Sequence, residues 1–347
     1  MGETLKICLV STAVFPVPPR TYGGLEQVVY DLAVALRDLG HEVTVVGVKG
    51  SKLPEGISVI ETVEPQRHVG EDWFERERRA FMVYRDRLKE FDIVHDHTWL
   101  AFPYLEKKRN PDLKLCHTHH GHCTWPTPPP VKYPNLVGIS KFLANEISKT
   151  LGVTVLYCYN GIDVQKYSFC PEKEEFLVYV GRMAKYKQPH VAVEVARQSK
   201  TPVYLIGGET FVEDPSYVQR VRSMCDGWYA RWIGECPHDV KIKLLQKAKA
   251  LLFPSQFGEP FGLVAVEAMA CGTPVIALRD GAIPEVVKHG ATGFVCDSVE
   301  EMVEAVGRVD GIKPEKCRRR VERLFSREVM ARNYLKLYRR VLSGEEW

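Results

Sequence analysis

The sequence predicts an α/β protein made of two doubly wound, Rossmann-like domains in series. Its 347 residues are about twice the usual size of one domain. Short apolar, β-branched runs alternate with stretches of helical apolar period along nearly the whole chain, which is the pattern of βαβ units and parallel sheets. An irregular polar stretch near 160–175, marked by Pro171, separates the alternation into two runs and is read as the linker.

The first run opens with a strand over 5–10, then a loop rich in proline (Pro16, Pro18, Pro19) that Gly23-Gly24 closes. A helix follows, because Leu25, Val28, Val29, Leu32, Leu36 and Leu39 keep the 3.6-residue period and Gly40 stands where a C-terminal stop belongs. A strand at 42–48, a helix at 71–90, a strand at 92–95 and a helix at 99–109 come next. Strands at 113–117 and 136–139, a helix at 141–150 with Ser140 as its N-cap, and a strand at 153–157 complete this half. The second half begins with a strand at 176–180. Strands at 203–207, 229–233, 250–254, 275–277 and 293–296 alternate with helices near 189–199, 215–225, 238–248, 262–270 and 298–307. Residues 314–343 read as two basic amphipathic helices.

Composition narrows the function classes. With 45% hydrophobic and 26% charged residues the chain is neither disordered nor collagen-like. No apolar stretch approaches the roughly 20 residues of a membrane span, and Lys6 inside the first apolar run argues against a signal peptide, so a cytoplasmic protein is expected. A net charge of +3 excludes nucleic acid as the default partner. Arginines still crowd two helices: Arg76, Arg78, Arg79, Arg85 and Arg87 on one, Arg318, Arg319, Arg320 and Arg323 on the other. Interleaved glutamates make solvated faces the first reading, and contact with anionic lipid headgroups, a peripheral membrane site, the sharper one. The ten cysteines are scattered without a Cys-x-x-Cys pair and most read as small buried apolar residues, with the histidine-rich run from Cys116 to Cys123 set apart as a zinc site in principle.

Two doubly wound domains bind ligands at the C-terminal ends of their strands, and facing each other they make a cleft with one substrate on each side. The dinucleotide fingerprint Gly-x-Gly-x-x-Gly is missing after both first strands, as is the P-loop pattern. The most informative segment runs from Glu259 through Pro-Phe-Gly262 and Glu267 to Gly272-Thr-Pro-Val-Ile-Ala277. A loop ends at Gly262 and a helix starts, whose N-terminus presents unpaired N–H groups and positive dipole to a phosphate. Glu259 before that helix and Glu267 within it suit hydroxyl pairs, since a carboxylate accepts two hydrogen bonds at once. Arg182 and Lys187, in the loop after the first strand of the second half, are two cations able to neutralise a diphosphate leaving group. No Asp-x-Asp occurs, so no carboxylate pair for Mg²⁺ is evident and no metal is expected.

In this order the segments resemble the family-4 retaining, nucleotide-sugar-dependent glycosyltransferases of GT-B fold. The resemblance is carried by Gly23-Gly-x-Glu26, Val137-Gly-Ile-Ser140, Asn160-Gly-Ile-Asp163, Gly181-Arg…Lys187, Trp232-Ile-Gly234 and the two glutamates eight positions apart, and it spans nearly the whole chain. It implies an acceptor-binding domain over 1–165, onto which a last helix from 327–347 crosses back, and a nucleotide-sugar-binding domain over 166–326. It implies that Arg182 and Lys187 hold the donor diphosphate, and that Glu259 touches the sugar with backbone groups of Phe261, Gly262 and Leu263. Glu267 would bind the ribose, and Gly23 and Gly24 would let the N-terminal loop approach the phosphates. His120 becomes the residue nearest the sugar, orienting it or stabilising an oxocarbenium-like state rather than attacking it. Gln188-Pro189-His190 departs from the Lys-Gly common after the lysine, and Pro189 suits a first helical turn.

Base and acceptor are less legible. Trp232, Ile233 and Gly234 mark the nucleobase region, and UDP ranks first as the carrier, with glucose or another hexose as its sugar. The stiff loops 11–22 and 118–134 are expected to carry the acceptor, with Tyr22, His97, His119 and Trp125 as contact candidates. A small molecule, a lipid-linked sugar and a saccharide all fit, and the oligomeric state is open. Competing readings are a nucleotide-sugar 2-epimerase or a phosphorylase on the same fold, a non-catalytic regulatory module, and a metal-dependent hydrolase built on His95, His97, His117, His119, His120 and His122.

Overall fold

In the computed structural model the alternation becomes two all-parallel sheets. Residues 4–20, 23–66, 71–125, 133–209, 212 and 214–347 are described. The chain divides into one unit of residues 1–161 with 327–347 and another of 162–326.

The first unit holds seven strands: β1 (Lys6–Val10), β2 (Glu42–Gly47), β3 (Ile57–Glu61), β4 (Ile93–Asp96), β5 (Leu115–His119), β6 (Leu136–Gly138) and β7 (Leu156–Tyr157). Their order is β3-β2-β1-β4-β5-β6-β7. Ile7, Leu9, Val45, Ile93, Val94 and Leu115 are fully enclosed, as expected where helices cover both faces of a parallel sheet. Those helices are α1 (Gly24–Asp38), α2 (Trp73–Tyr84), α3 (Pro103–Arg109) and α4 (Lys141–Leu151). Ser140 caps α4, its hydroxyl accepting from the Leu143 N–H at 3.0 Å.

The second unit has six strands: β8 (Glu174–Val180), β9 (Val203–Ile206), β10 (Ala230–Gly234), β11 (Ala248–Phe253), β12 (Val275–Leu278) and β13 (Gly293–Cys296), ordered β10-β9-β8-β11-β12-β13. Helices α5 (Pro189–Ser199), α6 (Pro215–Met224), α7 (His238–Lys247), α8 (Leu263–Ala270), α9 (Ile283–Val286), α10 (Val299–Arg308) and α11 (Pro314–Leu324) accompany it. The last helix, α12 (Arg327–Leu342), belongs to the first unit and packs on α1. It buries Met330, Ala331, Tyr334, Tyr338 and Val341 there.

Several expectations shift. The edge strand β3 was not anticipated, because only Ile57 and Ile60 of it are enclosed and a Pro-Glu-Gly turn precedes it. The expected helix 71–90 is α-helical only to Tyr84; the charged stretch Arg85–Glu90 buries Leu88 alone and winds as a 3₁₀ turn. The expected helix 99–109 starts at Pro103, whose ring suits a first turn. The strand expected at 113–117 lies two residues later, so His117 and His119 both belong to β5.

The arginine clusters are largely engaged at home. Arg76 donates to the carbonyls of Ala13 and Glu64 and pairs with Glu71; Arg78 pairs with Glu75 and Arg87 with Glu90. Arg318 donates to the carbonyls of Tyr167 (2.6 Å) and Ala270 (3.0 Å), closing the end of α8. Arg320 does the same for Glu285 and Val286 at the end of α9. This accounts for much of the basic pattern without a lipid surface. Among the described residues no helix is long and apolar enough to cross a membrane.

Because Arg318 satisfies two otherwise exposed carbonyls, Arg318→Ala is expected to lower stability by about 1.5–3 kcal/mol. Urea unfolding checks this; an unchanged midpoint would contradict the capping role.

Candidate functional site

Parallel pairing fixes where the chemistry-bearing loops fall. In the second unit the strand order reverses between β8 and β11, and ligands of such sheets bind beyond the C-terminal ends of the strands at that point. The loop after β8 carries Arg182 and Lys187, and the loop after β11 carries Glu259. The two cations flank one ring: the Arg182 guanidinium lies 5.5 Å and the Lys187 ammonium 5.7 Å from the centre of Tyr186. Lys187 Nζ bonds Glu259 Oε2 at 2.7 Å and stands 4.3 Å from the Phe257 ring centre. Glu259 itself is buried.

The Glu259 loop is held by a residue that sequence reasoning missed. The Asp280 carboxylate accepts from the backbone N–H groups of Phe257, Gly258 and Glu259, at 3.0, 3.1 and 2.8 Å. Gly281 follows it at φ +47°, and a Cβ there would lie 2.2 Å from the Glu259 carbonyl oxygen, so only glycine fits. Asp-Gly is a common turn pair, but nothing local in the sequence shows that its carboxylate clasps a loop more than twenty residues away.

Gly262, at φ +93°, starts α8 with no side-chain cap. The Ala265 N–H turns back to the Gly262 carbonyl at 3.0 Å, which leaves the N–H groups of Leu263 and Val264 without intrahelical partners, with Phe261 beside this opening. Phe261 is buried, edge-on to Phe325 at 5.7 Å. Glu267, about a turn further in, accepts from the Tyr167 hydroxyl (2.9 Å) and from Lys241 Nζ (2.8 Å). Neither partner carries a local sequence signal. Trp232 donates its indole N–H to the Gly207 carbonyl at 2.9 Å, and Ile233 is exposed. Trp232, Ile233, Gly234 and Glu235 line a cavity of about 980 Å³ with Gly208 and Arg222.

The first unit reverses its strand order between β1 and β4. After β1, Gly23 leads into α1 at φ +149°, and a Cβ there would stand 2.6 Å from the Pro19 Cβ; Gly24 is the first residue of α1. Glu26 of α1 is buried and bonds the Thr12 hydroxyl, holding the loop; burial pushes its carboxyl up. Tyr22 lies outside the described residues.

The histidines stand in and just after β4 and β5. His95 Nδ1 meets the Tyr338 hydroxyl and its Nε2 the Thr118 hydroxyl, each at 2.7 Å. His117 Nδ1 meets Asp96 at 2.7 Å. His97 Nδ1 meets His120 Nε2 at 2.8 Å, and His122 pairs with Glu146. Burial pushes His95, His97 and His120 down from the usual imidazole value, and His119 down to about 3. Glu77 of α2, another residue sequence reasoning missed, accepts from the N–H groups of Trp99 and Leu100 at 2.9 Å; burial pushes it up to about 7.

This arrangement changes the reading of the acceptor candidates. His97, His119 and Trp125 are all buried. The Trp125 indole donates to the Trp99 carbonyl, and its ring packs against His119 (4.9 Å) and Tyr133 (4.5 Å). They fill the interior of the unit and offer no open ring face. The metal-dependent hydrolase has no donor set either: both nitrogens of His95 and of His117 are engaged. Among the described residues no three His, Cys, Asp or Glu side chains gather as metal ligands.

Comparison with known proteins follows the same division. A family model for glycosyl transferases group 1 matches residues 165–322, and one for glycosyltransferase family 4 matches residues 22–166. The glycogen synthase of Mycobacterium tuberculosis is 28% identical over 347 aligned positions, spanning 84% of this chain and 82% of its own. AviGT4, a glycosyltransferase involved in avilamycin A biosynthesis, superposes with a TM-score of 0.78 at 25% identity, covering 99% of each chain. HepE of Anabaena, solved with UDP and glucose, shares the fold at a TM-score of 0.72 and 16% identity, over 96% of this chain and 98% of its own. None of these is an epimerase or a hydrolase.

The buried histidines set an acid limit. His95, His97, His119 and His120 titrate below 6.5 when folded, so the unfolded chain binds more protons and stability is lost as pH falls through 6.5. Glu26 and Glu77 oppose this, since their folded values lie above 4.5 and the folded chain binds the extra proton. Four groups outweigh two, so stability falls on the order of 2–3 kcal/mol per pH unit near pH 5.5. Urea unfolding at pH 7.5 and 5.5 reads this, and a midpoint equal or higher at pH 5.5 would contradict it.

Proposed function

The chain belongs to the family-4 glycosyltransferases of GT-B fold, and we propose that within that family it moves a hexose from a nucleotide diphosphate to an acceptor with retention of anomeric configuration. The observation that carries this reading is the grouping of Arg182, Lys187, Glu259, Glu267 and the uncapped start of α8 on one edge of the second sheet. Such a site meets each part of a nucleotide sugar with its complement.

The chemistry then runs as follows. Cleavage of the anomeric C–O bond leaves both electrons on the diphosphate oxygen, so negative charge grows there as positive charge spreads over the sugar ring. Arg182, Lys187 and the first-turn N–H groups of α8 are fixed before the reaction and stabilise the leaving charge without reorganising. Protein cations take the part that Mg²⁺ takes in carboxylate-based sites, and transfer proceeds without a metal. Glu259 binds sugar hydroxyls, with backbone groups of Phe261, Gly262 and Leu263 beside it. Its ion pair with Lys187 holds the carboxylate in place. Glu267 binds the ribose, held in place by Tyr167 and Lys241. The base lies by Trp232 to Gly234. UDP ranks first because it is the common carrier of this family, and the HepE structure gives an example of the same fold with that nucleotide.

The first unit carries the acceptor on this reading. His120 meets the reacting sugar as a neutral hydrogen-bonding group. Its suppressed basicity suits orienting the donor and disfavours a role as proton acceptor.

Two measurements test the proposal. Arg182→Ala is expected to cost about 2–4 kcal/mol of transition-state stabilisation, the scale of losing one fixed charge-stabilising donor. A kcat within about threefold of the parent would overturn the leaving-group role. NMR of the product is expected to show the donor's anomeric configuration kept; inversion would overturn the retaining mechanism.

A further inference from the structure

We propose that His97 is a positioning residue that fixes the tautomer of His120, so that His120 presents Nδ1–H as a hydrogen-bond donor to the sugar. The proposal rests on the reading of His120 as the sugar-facing residue. It follows from a single shared proton. His97 Nδ1 and His120 Nε2 are 2.8 Å apart, a hydrogen bond in which one ring must donate and the other accept.

The far side of His97 decides which. His97 is 1% exposed, and its Nε2 is buried with no partner. The neighbour whose ring lies 4.0 Å away, His95, has nothing to offer, since its two nitrogens are engaged by Tyr338 and Thr118. The Asp96 carboxylate, next along the strand, is occupied by His117 and Thr98. If His120 donated from Nε2, the neutral His97 would have to carry its own proton on Nε2, leaving a buried N–H with no acceptor. If His97 donates from Nδ1, its Nε2 is a bare lone pair, and the orphaned donor disappears. Buried N–H groups without partners are rarer than under-used acceptors. The proton therefore sits on His97 Nδ1, His120 Nε2 accepts, and His120's own proton is left on Nδ1.

The lowered basicity of both rings agrees with this, since an imidazolium in the pair would remove the distinction. Its chemical consequence is specific. His120 then donates to a hydroxyl oxygen or ring oxygen and takes no proton, which keeps the sugar fixed while the bond to the diphosphate opens. His97 touches no reacting atom and acts through His120 alone.

The test uses the full chain labelled with ¹⁵N in histidine. In the parent protein at pH 7.5, His120 is expected to show a protonated Nδ1 and a bare Nε2. A coupling across the hydrogen bond to His97 Nδ1 is also expected, assigned by loss of signals in His97→Asn and His120→Ala. His97→Asn keeps an N–H donor at the position of Nδ1 and is expected to hold kcat within about threefold. His97→Leu removes the donor and is expected to cost roughly tenfold to a hundredfold in kcat with nucleotide affinity unchanged. Protonation of His120 on Nε2 in the parent, or full turnover in His97→Leu, overturns the assignment. Undiminished turnover in His120→Ala is a separate result: it removes the sugar-facing role itself, and the proposal with it.

Discussion

Parallel strand pairing is the constraint on which the rest depends. Because each crossover returns the chain to the same end of the sheet, every loop that follows a strand opens on one edge, and the reversal of strand order leaves room there for a ligand. In the second unit this brings the β8 loop, with its two cations, beside the β11 loop, with its glutamate. In the first unit the same rule sets the glycines after β1 near the histidines after β4 and at the end of β5. Neither constellation is local in sequence; Lys187 and Glu259 are 72 positions apart.

The two units build their buried polar groups differently. The second keeps charges and pairs them: Lys187 with Glu259, Lys241 with Glu267, both pairs partly buried. Removing either partner of such a pair leaves an uncompensated charge in a poorly solvated place, which costs more than the pair contributes. An anionic ligand entering the site adds negative charge beside the cations while the carboxylates stay held. In the first unit burial favours the neutral form of His95 and His97, which are tied to hydroxyls and to a neighbouring imidazole. On the proposed reading, the second unit serves the leaving group and the sugar hydroxyls, and the first unit serves the acceptor.

The fold was legible because its cores are continuous apolar runs separated by glycine, proline and capping residues, as at Gly40, Pro189 and Ser140. The elements missed are those whose apolar signal is half-strength or very short, β3 at the sheet edge and the four-residue α9. Arg182, Lys187, Glu259 and Glu267 stood out in the sequence as charged residues in, or in the helix just after, strand-to-helix loops, and the structure sets Lys187 against Glu259. Their supports were not: Asp280, Tyr167 and Lys241 reach them from distant segments. The histidines misled in part. Clustering in sequence suggested ligands or acceptor contacts, whereas alternate positions of a buried strand turn His117 and His119 inward, and Trp125 covers them. Burial, which a single sequence does not state, decided their role.

The central claim is that the second unit binds a nucleotide diphosphate through protein cations and a helix start. Thermal denaturation with UDP, GDP and ADP in turn, each with and without EDTA, in the parent chain and in Glu267→Ala, tests it most directly. A nucleotide bound only by the folded chain stabilises it by about 2.7 kcal/mol at a hundredfold excess over Kd. The account predicts a raised midpoint with one nucleotide, UDP first, undiminished by EDTA and lost in Glu267→Ala. No shift with any of the three, or a shift that EDTA abolishes, would contradict it.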